Sequence, residues 1–252
     1  MSVVEQPGHW PYPRWIAHRG AGKLAPENTL AAFRLGASHG YRMYECDAKL
    51  SADGVVFLLH DATLERTTNG AGVAGERTWR DLSQLDAGGW HSRAFAGEPL
   101  ATLEALARHC QVQGHWLNIE IKPTPGTELA TGRAVAEAAA RLWAGDAGRT
   151  PFLTSFQPDA LKGARETAPQ LPRGLLLDTL RDGWTEEARS LGCVAVVFNH
   201  ALWNTTTVAQ ARGAGLRTLA YTVNDEWAAQ RLLDLGVDGI ITDRIDLFPP
   251  GR

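Results

Sequence analysis

The 252-residue sequence lacks a long hydrophobic run and a strong charge of either sign. Its longest unbroken apolar stretch, residues 193–198, has six residues, whereas a membrane-spanning helix needs about 20. The formal net charge is -3, so the chain has no overall basic field of the kind with which nucleic-acid-binding proteins neutralise phosphates. We therefore expect no membrane segment and no nucleic-acid partner.

Cysteine is scarce as well. Cys46, Cys110 and Cys193 cannot all pair within the chain, and none of them forms a C-x-x-C motif. Residues 1–8 lack the basic start and the apolar core of a secretory signal. These absences predict reduced thiols in a cytoplasmic protein. The sequence carries no signature of an oligomeric state.

Short runs rich in β-branched residues alternate with longer stretches of helical period, a pattern typical of βα units and a parallel sheet. Eight strands are predicted, at residues 15–17, 43–47, 116–121, 152–155, 174–177, 194–198, 218–223 and 239–242. Helices are predicted between them at residues 28–39, 102–111, 127–143, 158–166, 184–191, 205–212 and 225–235. Eight units leave about 31 residues for each, the size of one βα unit.

An open, doubly wound sheet would alternate in the same way. The eight units and the absence of a glycine-rich dinucleotide turn favour a closed barrel instead. We therefore expect an α/β fold of the TIM type, a (β/α)8 barrel, with residues 1–252 forming one catalytic domain. Residues 61–101, with a helix candidate at 78–85, are too many for a βα loop and predict an insertion in the second loop. That loop lies at the face where barrel active sites are built, although an excursion unconnected with chemistry is the alternative.

A hairpin is predicted before this insertion. The Asp-Gly dipeptide at 53–54 lies between two extended runs and is typical of a two-residue turn. In that turn Ala52 pairs with Val55, and His60 then lies opposite Asp47. The hairpin would return a histidine to the end of the preceding strand.

Polar residues cluster where the predicted strands end. Glu45 and Asp47 are two apart on one strand, so they share a face with Met43. Two carboxylates on one face inside a barrel are costly unless a cation neutralises them. A solvated strand edge is the alternative.

The strand predicted at 116–121 has one apolar and one polar face. Leu117, Ile119 and Ile121 form the face toward the helices, and Asn118, Glu120 and Lys122 form the face toward the barrel axis. Polar residues directed inward at the end of a strand are hard to explain as packing. A Glu–Lys ion pair in the barrel mouth is the alternative.

At one barrel mouth, these strand ends bring together three carboxylates, two imidazoles and two cations, namely Glu45, Asp47 and Glu120 with His18, His60, Arg19 and Lys122. Three carboxylates repel one another without a cation, and oxygen ligands with no thiolate suit a hard divalent ion such as Mg²⁺ or Ca²⁺. The two cations suit an anionic phosphate group. With one histidine taking a proton and the other donating one, the set predicts phosphoryl transfer.

The motifs, taken in order, resemble the glycerophosphodiester phosphodiesterase family. They are His18-Arg19-Gly20, Pro26-Glu27-Asn28-Thr29, Glu45-x-Asp47, Asp53-Gly54, His60-Asp61, Glu120-Ile121-Lys122 and Thr242-Asp243. The resemblance runs from residue 12 to residue 247. Stretches at 22–32, 97–100, 142–145 and 171–178 are most similar to the bacterial cytosolic form associated with glycerol 3-phosphate uptake.

The resemblance implies a TIM-type barrel and hydrolysis of glycerophosphodiesters, such as glycerophosphocholine or glycerophosphoethanolamine, to sn-glycerol 3-phosphate and an alcohol. It also implies one divalent ion, Mg²⁺ or Ca²⁺. By position, the metal ligands match Glu45, Asp47 and Glu120, the acid–base pair matches His18 and His60, and the phosphate contacts match Arg19 and Lys122. The glycerol hydroxyl next to the phosphorylated carbon offers a route through a cyclic phosphate.

Five further residues are weaker candidates. Glu27 could orient Arg19, although a helix dipole also favours a carboxylate at this position. The strand-end residues Ser155, Phe156, Asn199 and Tyr221 are candidates for lining the glycerol or alcohol pocket, and packing or capping explains them nearly as well. Many family members have Trp where this chain has Tyr221, a departure that bears on leaving-group preference.

Three other functions compete with this interpretation. A binding protein without turnover should have lost a histidine or a carboxylate, and all seven matched groups are present. A metal-dependent sugar isomerase favours a histidine-rich site and leaves Arg19 and Lys122 unexplained. Activity on lysophospholipids is less expected than activity on a soluble, deacylated substrate, because the sequence has no evident amphipathic basic helix.

Overall fold

Eight parallel strands close into a barrel in the computed structural model, which describes residues 10–250. The strands of the whole sheet are Trp15–Ala17 (β1), Met43–Leu50 (β2), Val56–Leu58 (β3), Trp116–Ile121 (β4), Phe152–Ser155 (β5), Arg173–Leu177 (β6), Ala195–Asn199 (β7), Arg217–Tyr221 (β8) and Gly239–Thr242 (β9). Their order is β1-β9-β8-β7-β6-β5-β4-β2-β3, and β1 also pairs with β2. The predicted TIM barrel is confirmed, and β3 is an antiparallel strand appended to β2.

Seven helices of the described residues follow barrel strands or the hairpin, and one short helix lies between residues 61 and 101. They are Leu30–Ser38 (α1), Trp79–Leu82 (α2), Leu103–Gln113 (α3), Glu128–Leu142 (α4), Pro158–Thr167 (α5), Trp184–Ser190 (α6), Thr205–Gly213 (α7) and Glu226–Leu235 (α8). Within residues 10–250, no helix combines the length and the apolar character needed to cross a bilayer. The predicted absence of a leader concerns residues 1–8, which lie outside the described part of the chain.

Side-chain caps set where several of these helices begin. The hydroxyls of Thr29 and Thr102 accept the amides three residues further on, and Asp225 does the same with its carboxylate. Such caps satisfy amides that a helix leaves without a partner in its first turn. Gly114 and Gly236, both left-handed, end α3 and α8. These local signals explain why the predicted boundaries are close to the observed ones.

The barrel interior is apolar on one side and polar on the other. A buried cluster fills the side nearer the strand starts and includes Ile16, Met43, Phe152, Leu176, Val197, Leu219 and Ile241. Because side chains alternate along each strand, the residues two and four positions after Met43 also face inward. Those residues are Glu45 and Asp47, so the polar side lies toward the carboxyl ends of the strands.

The hairpin between β2 and β3 corrects the predicted register by one residue. Leu50 pairs with Val56, and the Leu59 amide donates to the Asp47 carbonyl at 3.0 Å, so Leu59 rather than His60 lies opposite Asp47. The cause is a three-residue loop, residues 52–54, whose last residue is a left-handed glycine. The Asp-Gly signal does not distinguish this loop from a two-residue turn, since both place the glycine at the same point.

Residues 59–101 fold against this hairpin around a small apolar cluster. Its buried members are Phe57, Leu59, Leu64, Ala74, Leu82, Ala87 and Leu100. The helix predicted at 78–85 is shorter, Trp79–Leu82, and begins at a Thr78 cap. Isolated pairings of Thr63 with Val73 and of Asp86 with Pro99 tie the segment together.

Candidate active site

Three carboxylates meet near the carboxyl ends of β2 and β4. Asp47 and Glu120 are register partners, and Glu45 lies two residues before Asp47 on the same face. Carboxylate oxygens of the three residues all lie within 4.8 Å of one another, and the three residues are buried. We call this set the carboxylate cluster.

The carboxylate cluster has the donor set of a site for a divalent cation. Among the described residues, Glu45 Oε1 and Asp47 Oδ1 are buried oxygens without a hydrogen-bond partner. Burial, together with the neighbouring charges of Asp47 and Glu120, raises the pKa of Glu45 well above its usual range. Oxygen ligands without thiolate fit a hard cation such as Mg²⁺ or Ca²⁺. A bound cation would neutralise charges that the fold forces together.

Asp47 is oriented by a neighbouring amide and a guanidinium. Asn28 donates from Nδ2 to Asp47 Oδ2 at 2.8 Å and accepts the Asp47 amide on Oδ1 at 3.0 Å. Arg19 Nε lies 3.0 Å from Asp47 Oδ2. Burial alone would raise the pKa of Asp47, but the charges of Arg19, His60 and Lys122 outweigh it and lower that pKa. Asp47 is therefore held as a carboxylate.

Arg19 and Asn28 both have left-handed backbones, with φ of 51° and 61°. For residues other than glycine this conformation costs about 1 kcal/mol or more, and it persists where the surroundings impose it. Here the Asn28 amide donates to the Arg19 carbonyl at 3.0 Å, and the Arg19 amide donates to Glu45 Oε2 at 3.1 Å. The loop after β1 is thus strained and tied directly to the carboxylate cluster.

His18 is held by an aspartate that follows the last strand. Its Nδ1 lies 2.6 Å from Asp243 Oδ1, and Asn224 Nδ2 donates to the other Asp243 oxygen at 2.9 Å. The second ring nitrogen, Nε2, lies 3.7 Å from Glu45 Oε2. Because Asp243 occupies Nδ1, Nε2 is the nitrogen directed at the carboxylate cluster.

His60 has the same kind of partner, supplied by the next residue in the chain. Its Nδ1 lies 2.7 Å from Asp61 Oδ1. Arg66 donates to both oxygens of Asp61, from Nε to Oδ2 at 2.5 Å and from Nη2 to Oδ1 at 3.1 Å. These hydrogen bonds hold the pKa of Asp61 well below its usual range. Burial lowers the pKa of His60 below that of a free histidine.

Glu27 connects the surroundings of His60 to Arg19. Its Oε1 accepts Arg19 Nη1 at 2.9 Å and Arg66 Nη2 at 2.8 Å, while its Oε2 accepts Arg66 Nη1 at 2.9 Å. Burial disfavours the Arg19 charge, but the carboxylates of Asp47, Glu27 and Glu45 outweigh it and raise the pKa of Arg19. Glu27 therefore contacts the residue that the sequence predicts it to orient.

Lys122 approaches the cluster from β4. Its Nζ lies 2.7 Å from Glu120 Oε1 and 3.9 Å from Asp47 Oδ1. A second lysine, Lys49, is almost fully buried on the same side and donates to the Lys122 carbonyl at 3.1 Å. Burial lowers the pKa of Lys49 to about 8. Lys49 belongs to none of the motifs that the sequence singles out, and its burial beside the site comes from the fold.

The four candidate pocket residues divide into two pairs. Phe156 and Tyr221 meet edge to face with ring centroids 5.7 Å apart, and Lys122 Nζ lies 5.3 Å from the Phe156 ring centroid. Ser155 instead donates its hydroxyl to the Ile121 carbonyl at 2.8 Å. Asn199 accepts the amide of residue 201 at 3.1 Å and caps a short helical turn. The aromatic pair borders the predicted phosphate contact, whereas Ser155 and Asn199 make backbone contacts.

Known proteins resemble this chain in sequence and in fold. Residues 18–247 match the sequence model of the glycerophosphoryl diester phosphodiesterase family. The chain belongs to this family. It is accordingly a phosphodiester hydrolase.

Relatives within the phosphodiesterase family match over nearly the whole chain. The glycerophosphodiester phosphodiesterase of Caldanaerobacter subterraneus is 32% identical over 235 residues, which cover 90% of this chain and 93% of that protein. A Bacillus subtilis protein of the same name is 30% identical, covering 92% of this chain and 84% of its own. An Oleispira antarctica phosphodiesterase, solved in complex with the product sn-glycerol-3-phosphate, is 33% identical with a TM-score of 0.88. The match covers 95% of this chain and 94% of the Oleispira chain.

Proposed function

We propose that this chain hydrolyses glycerophosphodiesters, such as glycerophosphocholine and glycerophosphoethanolamine, to sn-glycerol 3-phosphate and an alcohol. The observation that carries the proposal is a buried carboxylate cluster beside two histidines, each with an aspartate on Nδ1. The Oleispira relative, whose structure holds sn-glycerol-3-phosphate, supports this substrate class.

Glu45, Asp47 and Glu120 would hold one divalent ion, Mg²⁺ or Ca²⁺. Glu45 Oε1 and Asp47 Oδ1, buried oxygens without a hydrogen-bond partner among the described residues, support this assignment. When bound, such an ion stabilises the negative charge that develops on phosphate oxygens. Arg19 and Lys122, whose cationic groups lie beside the cluster, would bind the same phosphate group.

The two histidines would exchange protons through Nε2, since an aspartate occupies each Nδ1. One imidazole accepts the proton of the attacking hydroxyl, and the other donates a proton to the oxygen of the departing alcohol. If the attacking hydroxyl is that of the glycerol moiety next to the phosphorylated carbon, the product of this step is a cyclic phosphate. Water then opens the cyclic phosphate with the two imidazoles in exchanged roles.

Release of glycerol 3-phosphate from glycerophosphocholine tests the function. The purified protein would be assayed after chelation and again after Mg²⁺ or Ca²⁺ is restored, beside a His18→Ala variant. We expect release that depends on the metal and that the variant lacks. No release with either metal, across several head groups, would overturn the proposal.

Two substrate comparisons sharpen the proposal. A substrate without the neighbouring glycerol hydroxyl should react far more slowly, and equal rates would remove the cyclic route. Lysophosphatidylcholine should be a poorer substrate than glycerophosphocholine, because we propose a deacylated substrate. Phe156 and Tyr221 are the residues of this chain that we propose to border the substrate. The cytoplasmic location and the assignment of residues 61–101 as an insertion in one catalytic domain remain predictions.

A further inference from the structure

Arg66 makes four charge-assisted hydrogen bonds although its side chain is 45% exposed. Nε and Nη2 donate to the two oxygens of Asp61, at 2.5 Å and 3.1 Å. Nη1 and Nη2 donate to the two oxygens of Glu27, at 2.9 Å and 2.8 Å. One planar guanidinium thus engages two carboxylates, each through both of its oxygens.

Each of these carboxylates has a second partner in the site. Asp61 Oδ1 lies 2.7 Å from His60 Nδ1, and Glu27 Oε1 accepts Arg19 Nη1 at 2.9 Å. Arg66 is therefore linked through Asp61 to His60, a proposed proton-transfer group, and through Glu27 to Arg19, a proposed phosphate contact.

The backbone beneath Arg66 is firmly anchored. Leu64 is buried in the apolar cluster of residues 57–100, and the Thr68 hydroxyl donates to the Leu64 carbonyl at 2.7 Å. Thr67 is buried as well. An exposed ion pair normally contributes little, because holding two mobile side chains costs entropy. An anchored backbone reduces that cost for Arg66.

We propose that Arg66 is a positioning residue of this reaction, which fixes His60 through Asp61 and Arg19 through Glu27. The proposal rests on the proposed function. It requires the planar fork of arginine, because the single ammonium group of a lysine cannot pair with both oxygens of two carboxylates at once. By this arrangement, residues 61–101 set the distance between a proton-transfer group and a phosphate-binding group.

The chain offers a matched control. Arg181 also donates twice to a carboxylate, with Nε and Nη2 at 2.9 Å and 2.6 Å from Glu187 Oε2. Its side chain is 49% exposed, close to the 45% of Arg66. Arg181→Met therefore removes a comparable exposed ion pair, and within residues 10–250 Glu187 has no hydrogen bond to a residue of the proposed site.

The experiment measures kcat and KM for glycerophosphocholine, with the metal present, in the wild type and in Arg66→Met, Arg66→Lys and Arg181→Met. We expect Arg66→Met to lower kcat about 10- to 100-fold, the range in which loss of supporting contacts acts. Arg66→Lys should stay closer to Arg66→Met than to the wild type. Arg181→Met should match the wild type.

A second measurement separates positioning from a general loss of structure. In an Asp61→Asn background, the proposed route from Arg66 to His60 is already interrupted and only the route through Glu27 to Arg19 is left, so Arg66→Met should lower kcat less than it does in the wild type. Full additivity of the two changes would contradict the proposal. If Arg66→Met does not fold, Arg66→Gln in the same two backgrounds gives the comparison.

The failures can be told apart. Equal kinetics of Arg66→Met, Arg181→Met and an active wild type would overturn the role of Arg66 and leave the proposed function standing. A wild type that releases no glycerol 3-phosphate would overturn the proposed function itself.

Discussion

The two histidine–aspartate pairs of the site have the same contact but different supports. His18 Nδ1 lies 2.6 Å from Asp243, and His60 Nδ1 lies 2.7 Å from Asp61. The side chains of the first pair are each 17% exposed, while those of the second are 31% and 28% exposed. Asp243 accepts a hydrogen bond from the neutral amide of Asn224, whereas Asp61 forms an ion pair with the guanidinium of Arg66.

The difference comes from the origin of each pair. β1 and β9 are neighbours, with Ala17 opposite Thr242, so His18 and Asp243 follow at the same level of the barrel. Sheet register therefore creates the first pair directly. The second pair depends on the hairpin loop and on a side chain from residues 61–101. The barrel alone makes one half of the site, and the chain between β3 and α3 completes the other.

The largest expected effect is the loss of kcat when either imidazole is removed. We expect His18→Ala and His60→Ala each to lower kcat by about 1,000-fold, since each would remove one of two proton-transfer groups. Steady-state hydrolysis of glycerophosphocholine measures both variants. An exposed histidine outside the site, changed as His39→Ala, serves as the control. If only one of the two variants lost activity, the pairs would not be partners in one reaction.

Removing the charge of each aspartate should lower kcat by different factors in the two histidine–aspartate pairs. We expect Asp243→Asn to lower kcat about 100-fold, because the second oxygen of Asp243 accepts a neutral amide rather than a guanidinium and its charge acts more fully on His18. Asp61→Asn should cost about 10-fold, because Arg66 already neutralises much of the Asp61 charge. The measurement is kcat at saturating metal. An equal loss in both variants would show that the supports do not matter.

A smaller effect concerns the pKa of His60. Burial lowers this pKa, as do the charges of Arg19 and Lys122, while Asp47 and the Asp61 hydrogen bond raise it. Asp61→Asn removes one influence that raises the pKa of His60, so the His60 titration should move to lower pH. Titration of the imidazole signals by NMR in the metal-free protein measures the shift. The control is Asp234→Asn on α8, and a shift to higher pH would contradict the expectation.

The smallest effects should be on stability. Asn224→Ala leaves a partly buried Asp243 oxygen without its donor, which costs about 1–3 kcal/mol in the free energy of unfolding. Arg66→Met removes exposed ion pairs and should cost less than about 1 kcal/mol. Denaturant unfolding compares the two variants. A larger loss for Arg66→Met would mean that residues 61–101 depend on this ion pair for their fold.

Sequence patterns predicted the barrel and the place of the carboxylates well, because strand alternation dictates which side chains face inward. Glu45, Asp47 and Glu120 required only the correct period and the order of the strands. The hairpin register was wrong by one residue, because Asp-Gly fits two loop lengths. Asp243 stands 225 residues from His18, and no local pattern indicates their contact. Arg66 was missed for a similar reason, since an exposed arginine in a loop has no periodic signature.

The apolar cluster beneath the carboxylates closes the barrel at the end where the strands start. Ile16, Met43 and Leu219 are completely buried, and within residues 10–250 their cluster fills the axis on the side of the strand starts. A molecule that reaches the carboxylates must therefore enter and depart through the same opening. The product must therefore leave before the next substrate can enter the site.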